Sequence, residues 1–280
     1  MAANSLLRRA IKKSLAPLLN EGVYRYLQGA AVAMDIRRGK WREPELDLIP
    51  FAVRPGDTVL DLGANYGFYT YHLSRAAGPS GRVHAFEPVP FTYRTLTLVA
   101  RLLGLKNATC VAKGCSDTAG TIEVTLPIQK SGAPSAGQAH IGTRNDAREG
   151  SETQVRWDRT TRVTCEVVAI DDYLPSIDRV SLIKCDIEGA ELLAFRGAAR
   201  TIDAHHPTVI CEINPWFLDG FGLRLDDLVG FFTSRGYGIY RYTSDKKLLP
   251  VASLDDIVED NYVFIHPDRR APLASLFGTH

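Results

Sequence analysis

Short strand-forming runs alternate with helix-patterned stretches through most of this chain, and that alternation limits its fold more than any other feature. Runs at 59–62, 82–86 and 108–112 are separated by helix patterns at 68–76 and 93–103. The rhythm resumes with Val180-Ser-Leu-Ile-Lys-Cys185, a helix at about 190–195, Thr208-Val-Ile-Cys-Glu-Ile213 and a helix at about 225–235. Two further β-rich runs lie at 237–242 and 262–265. This order predicts an α/β domain: a doubly wound, mostly parallel sheet with helices on both faces. The run 180–185 reads as a strand buried on both sides. Ligands of such sheets bind at the carboxyl ends of the strands, where strand order reverses.

With 45% hydrophobic and 23% charged positions among 280, the chain is a packed globular protein rather than a disordered one. No apolar run reaches the roughly 18–20 residues of a membrane span. The N-terminus is charged and lacks a secretory signal pattern. Lys+Arg total 33 against 32 Asp+Glu, but residues 1–42 carry a net +7 and the remainder −6. An acidic body argues against a nucleic-acid partner, whose phosphates need a basic groove. Residues 5–35 show helical periodicity broken at Pro17, and 39–44 read as a linker. The expected organisation is therefore a basic helical extension over 1–42 and a main domain over 43–280. Packing of the extension on the acidic body or on a second subunit, as in a homodimer, is expected. Contact with a membrane surface is the alternative. Five cysteines without a C-x-x-C pair predict buried reduced thiols in a cytoplasmic protein. Residues 128–162, rich in Gly, Ser, Ala and charge, break the rhythm. They read as a lid-like insertion, against disorder or a small hairpin excursion.

The sharpest local signal is Thr58-Val-Leu-Asp-Leu-Gly-Ala-Asn-Tyr-Gly67, a strand turning through glycines into a helix. Twenty positions after Gly67, Glu87 ends the next strand, where a carboxylate can accept hydrogen bonds from a ribose diol. Gly63 and Gly67 are expected to let the backbone approach a ligand closely. The middle glycine of the dinucleotide pattern is absent, and Asp61 is unsuited to a pyrophosphate. The turn therefore points to a cationic nucleoside, S-adenosylmethionine, rather than to NAD. An NAD-linked oxidoreductase and a non-catalytic cofactor-binding scaffold are the alternatives.

D-x-G-A-N-x-G at 61–67, A-F-E-P at 85–88, Ile170-Asp-Asp-Tyr-Leu174, Ile183-Lys-Cys-Asp-Ile-Glu-Gly-Ala-Glu191 and Cys211-Glu-Ile213 together resemble the FkbM-type methyltransferases, over roughly residues 43–265. The resemblance implies a Rossmann-like class I methyltransferase sheet of seven strands, order 3-2-1-4-5-7-6, with the seventh antiparallel. It implies O-methylation of a sugar, glycolipid or secondary metabolite. Matched by position, Asp61, Gly63, Ala64, Asn65 and Gly67 would surround the methionine part of the cofactor. Glu87 would hold the ribose, Pro88 would flank the adenine, and Ser116 and Asp117 would cap its edge. Asp186 would lie where the methyl group is transferred.

A hydroxyl acceptor benefits from a general base. Asp186, Glu188 and Glu212 converge on the rim from adjacent strand ends, with Lys184 placed to neutralise one of them. The rival reading of Asp186 and Glu188 is helix capping. Three carboxylates would also suit Mg2+, although no metal is expected. His140, in the lid-like insertion, is the histidine able to swing over the cofactor as base. His205 and His206 precede a strand and read as a surface turn at the opposite end. Trp157 and Trp216 are candidate flat faces for a sugar ring or acyl chain.

Overall fold

A computed structural model describes residues 21–127, 140–141 and 160–278. Helix α1 (Glu21–Arg37) leads through a 3-10 turn (Pro44–Leu48) and a one-turn helix (Ile49–Ala52) into β1 (Thr58–Leu62). There follow α2 (Phe68–Ala77), β2 (Arg82–Phe86), α3 (Pro90–Leu103) and β3 (Ala108–Val111). An accessory set comes next: β4 (Gly114–Cys115), β5 (Gly120–Pro127), β6 (His140–Ile141) and β7 (Thr160–Val168). The main fold resumes with β8 (Val180–Cys185), α4 (Glu191–Arg196), α5 (Ala199–His205), β9 (Thr208–Ile213), α6 (Pro215–Gly220) and α7 (Leu225–Thr233). It ends with β10 (Gly238–Tyr242), β11 (Leu248–Pro250) and β12 (Asp260–Ile265).

The main sheet has the order β11-β10-β12-β9-β8-β1-β2-β3. Strands β3, β2, β1, β8 and β9 are parallel, and β12 inserts antiparallel between β9 and β10. This is the expected seven-strand order, with β11 added as an eighth edge strand. The order reverses between β1 and β8, which places a crevice at their carboxyl ends.

Alternate residues of each central strand serve opposite layers. Leu60, Leu62, Phe86, Ile183, Cys185 and Phe264 face one side with Phe195 and Phe232. Val59, Val83, Leu182, Ile210 and Val263 face the other, against Leu48, Tyr69 and Leu73. Each such side chain contributes about 1.5–3 kcal/mol when fully buried. All six positions of β8 are buried, including Lys184.

Helix α1 packs on α3, where Val32, Ala33 and Ile36 meet Val99. Its Asp35, 1% exposed, is held by Lys40 at 3.0 Å. Within 39–44 the chain is irregular and mostly exposed, but the Trp41 ring lies edge-on to Phe68 at 5.8 Å; Glu45 and Leu48, just after it, are buried. Among the described residues, no helix is long and apolar enough to cross a membrane.

The irregular region is framed by a hairpin. Strands β5 and β7 pair antiparallel from Gly120↔Val167 to Pro127↔Thr160, and Val124, Leu126 and Cys165 pack beneath them with Val89. Residues 160–162, expected in the lid, belong to β7. The rest of that insertion, apart from 140–141, lies outside the described residues, and Trp157 with it. All five cysteines are free thiols and four are buried.

Candidate active site

The turn after β1 is wound on its own backbone. Gly63 N–H and Ala64 N–H both donate to Phe86 O, at 3.0 and 2.9 Å, and Gly67 N–H donates to Ala64 O at 2.8 Å. Asn65 N–H donates to Glu87 Oε2 at 3.0 Å, and Glu87 Oε1 accepts from Val89 N–H at 3.0 Å. Four turn amides are thus consumed within the protein. Asn65 has a left-handed φ of 48°, and its buried Oδ1 has no hydrogen-bond partner. Asp61, 1% exposed, accepts the Thr70 hydroxyl at 2.5 Å.

Gly63 also lies hard against the chain that leaves β8. A Cβ on Gly63 would stand 1.8 Å from the Asp186 carbonyl oxygen. A Cβ on Gly67 would meet Leu96 Cδ1 at 2.8 Å. At both positions close packing of chain on chain already requires glycine.

Beyond β8 the chain turns around a buried carboxylate. Glu191 Oε1 accepts from Ile187 N–H at 3.2 Å and Gly189 N–H at 3.0 Å. The capping reading of Asp186 and Glu188 therefore fails: no side chain caps α4, and the turn is closed by Glu191. Glu188, at φ 57°, faces Asp186 and Glu212. Asp186 and Glu212 each stand one step beyond the Cys185↔Cys211 pair of β8 and β9, which brings them side by side at the rim.

Lys184 lies beneath this pair. Its Nζ donates to Asn261 Oδ1 at 3.1 Å and Cys185 O at 3.4 Å, and sits 5.0 Å from the centre of the Tyr69 ring. Tyr69 Oη donates to Glu43 Oε2 at 2.6 Å. Glu45, 3% exposed, has an unpartnered Oε2 nearby. Glu43, Glu45, Tyr69 and Asn261 were not singled out in sequence, because nothing local marks them as neighbours of Lys184.

Burial is the first cause of raised carboxyl pKa values throughout the site. It lifts Asp61 to about 6 and Glu45, Glu87 and Glu191 to about 7. Burial and the charge of Asp186 together push Glu212 to about 8 and Glu188 to about 9. In this window the folded chain holds protons that the unfolded chain has already lost, so stability falls as pH rises. The melting temperature of the ligand-free protein should drop between about pH 5 and 9. Glu212→Gln should flatten the upper part of that slope; a melting curve independent of pH would contradict the arrangement.

The remaining expected residues fall in distinct places. Pro88 packs beside Gly114, whose missing Cβ would lie 3.4 Å from Pro88 Cβ. Ser116 follows β4, its N–H donating to Val168 O at 2.9 Å, and Asp117 beside it is exposed. His140 belongs to β6, paired with Thr125 in the accessory sheet. Asn214 caps α6, accepting from Trp216 N–H at 3.0 Å, and Trp216 is 37% exposed. Among the described residues, one group has ligand atoms close enough for a shared metal ion: His206, His266 and Asp268, at the opposite end of the sheet. There His206 Nδ1 lies 2.7 Å from Asp268 Oδ2 and stacks on His266 with ring centres 3.7 Å apart.

Methyltransferase sdnD of Sordaria araneosa is 28% identical over 204 residues, 65% of this chain and 74% of that protein. Methyltransferase 1 of Beauveria bassiana (strain ARSEF 2860) is 26% identical over 156 residues, 54% of this chain and 61% of that one. The crystal structure of a methyltransferase FkbM from Methylobacillus flagellatus KT is 19% identical and aligns over 93% of this chain and 60% of that chain, with a TM-score of 0.46. The chain thus spans less than two thirds of the length of the latter two. The family model for the methyltransferase FkbM domain matches residues 61–239, from Asp61 in β1 to Ile239 in β10. That match covers well over half of the chain, which belongs to the FkbM family of methyltransferases.

Proposed function

We propose that this methyltransferase takes its methyl group from S-adenosylmethionine and delivers it to a hydroxyl of a saccharide, glycolipid or secondary metabolite. The observation that carries the cofactor reading is the turn after β1. Dinucleotide sites present turn amides to a pyrophosphate; here the N–H groups of Gly63, Ala64, Asn65 and Gly67 all donate inside the protein. What the turn offers is acceptors: Glu87, Asp61 and the unpartnered Asn65 Oδ1. A ligand rich in donors and positive charge fits that set, whereas a diphosphate does not.

S-adenosylmethionine supplies a methyl group on a positively charged sulfur. Glu87, oriented by two backbone N–H donors, retains lone pairs for the ribose diol. Asp61 and Asn65 offer negative charge and an acceptor for the amino-acid end, while Pro88, Ser116 and Asp117 flank the base. Asp186 and Glu212, with Glu188 beside them, form the proton-accepting rim for the acceptor hydroxyl, and Trp216 offers an exposed flat face next to it. Holding the hydroxyl in line with the departing sulfur supplies much of the rate.

Calorimetric titration separates the cofactor readings. S-adenosylhomocysteine should bind and NAD should not; the reverse result would overturn the proposal. Glu87→Gln should weaken S-adenosylhomocysteine by roughly 10- to 100-fold, the worth of hydrogen bonds to a charged group. Screening hydroxylated acceptors against amines, with product mass as the readout, tests the oxygen specificity. Methylation confined to nitrogen would refute it.

A further inference from the structure

Lys184 presents an electrostatic problem that the motif around it does not explain. Its side chain is 2% exposed in the middle of the sheet. A buried ammonium is costly unless opposite charges and hydrogen bonds answer it. The groups acting on it come from the elements packed on that side: Asp186 at the end of β8, Glu212 of β9, Asp61 of β1, which pairs directly with Lys184, and Glu43 and Glu45 from the segment before β1; the Cys211 thiol lies on the opposite layer. Tyr69 of α2 gives its ring face, and Asn261 of β12 its carbonyl oxygen. Asn261 stands opposite Glu212 in the β12–β9 register. Lys184 is therefore tied to the strand that borders the acid pair.

We infer that Lys184 is the positioning residue of the proton-accepting pair, and that Glu43, braced by Tyr69, opposes it from the other side. The inference rests on the hydroxyl-acceptor reading. Asp186 and Glu212 end adjacent parallel strands just beyond the Cys185↔Cys211 pair, and burial together with the charge of Asp186 raises the Glu212 carboxyl, so the two do not shed their protons together. The ammonium makes that half-protonated state tolerable in a buried site and keeps one carboxylate oxygen open. In the transfer, the O–CH3 bond forms as the S–CH3 bond breaks. The S–C electron pair returns to sulfur, and the hydroxyl proton passes to the pair before release to water. Glu43 competes with the pair for the same positive charge. Because Glu43, Glu45 and Asn261 lie outside residues 61–239, this arrangement is contributed by both flanks of the family-matched segment.

The test needs no acceptor. Carbon-13 NMR on protein labelled at the Glu side-chain carboxyls follows the titration of Glu212, whose resonance is assigned by its loss in Glu212→Gln. Lys184→Met should move the Glu212 midpoint up by about one pH unit or more, through loss of a nearby positive charge. Glu43→Gln should move it down, because the ammonium then acts more fully on the pair. Lys184→Arg should return the midpoint toward wild type. A packing role alone would shift neither, so unchanged midpoints in Lys184→Met and Glu43→Gln would overturn the inference. If Lys184→Met does not fold, Lys184→Gln takes its place: an upward shift of the Glu212 midpoint upholds the inference and no shift defeats it. Titration of wild-type protein with S-adenosylhomocysteine runs beside these measurements. Its failure would remove the cofactor reading and leave the carboxyl titrations standing.

Discussion

Asp186→Asn should lower turnover by roughly two to four orders of magnitude, the usual contribution of a positioned general base. Affinity for S-adenosylhomocysteine should change by less than about threefold, because the substitution conserves shape and leaves the backbone bonds of the turn intact. Asp186 N–H donates to Leu62 O at 3.0 Å, and the Gly63 approach involves its carbonyl, not its side chain. The variant also has a signature beyond rate. Since the charge of Asp186 helps hold the Glu212 carboxyl up near 8, its removal should lower the Glu212 titration. The pair titrates as a unit, so the shift belongs to the pair's behaviour. Stopped turnover together with abolished cofactor binding would make Asp186 an anchor rather than a base.

The largest effect on stability is expected at Gly63. An alanine there places a methyl carbon 1.8 Å from the Asp186 carbonyl oxygen and 2.8 Å from its carbon, at a φ of 81° that L residues resist. Backbone meets backbone, so no side chain can yield. Either β1 and β8 separate or the turn unwinds, at a cost of at least about 3 kcal/mol. Roughly 2–4 °C per kcal/mol in a chain of this size gives a melting-temperature loss near 6–12 °C. Gly104 supplies the control: its φ is 71° but a Cβ there meets nothing within 4 Å. Gly104→Ala should cost only the left-handed strain, about 1–2 kcal/mol. Equal losses in the two variants, measured by thermal unfolding, would mean that the close approach of Gly63 to Asp186 does not govern that turn.

The central sheet was readable because its strands are short runs bounded by helix patterns. Those expected at 82–86, 180–185 and 208–213 coincide with β2, β8 and β9. Asp61, Glu87, Asp186 and Glu212 lie at the carboxyl ends of β1, β2, β8 and β9, positions that the order of the elements already gave. The hairpin of β5 and β7 was harder to see: its legs are separated by a long Gly- and Ser-rich stretch, and their pairing is a nonlocal event. Glu191 stands in the same motif as Asp186, yet its role in closing the turn is a matter of backbone geometry. The approach of Gly63 to Asp186 was invisible for the same cause, since the atom it accommodates is more than a hundred positions away. His140 and Asp186 belong to different sheets, a separation that spacing along the chain does not reveal.

Because β12 slots antiparallel between β9 and β10, a strand made late in the chain must be wedged beside one made early before the edge of the sheet can close. Asn261 reaches Lys184 only then, and Glu43 meets them from 141 positions upstream of Lys184 and 218 upstream of Asn261. Contacts of such long range are slow to form, since loop closure precedes their reward. A growing chain that has completed β1 through β9 would already own most of its hydrophobic layers and still lack a finished rim. Enzymatic competence should accordingly be among the last properties regained on refolding, after the bulk of the secondary structure has returned.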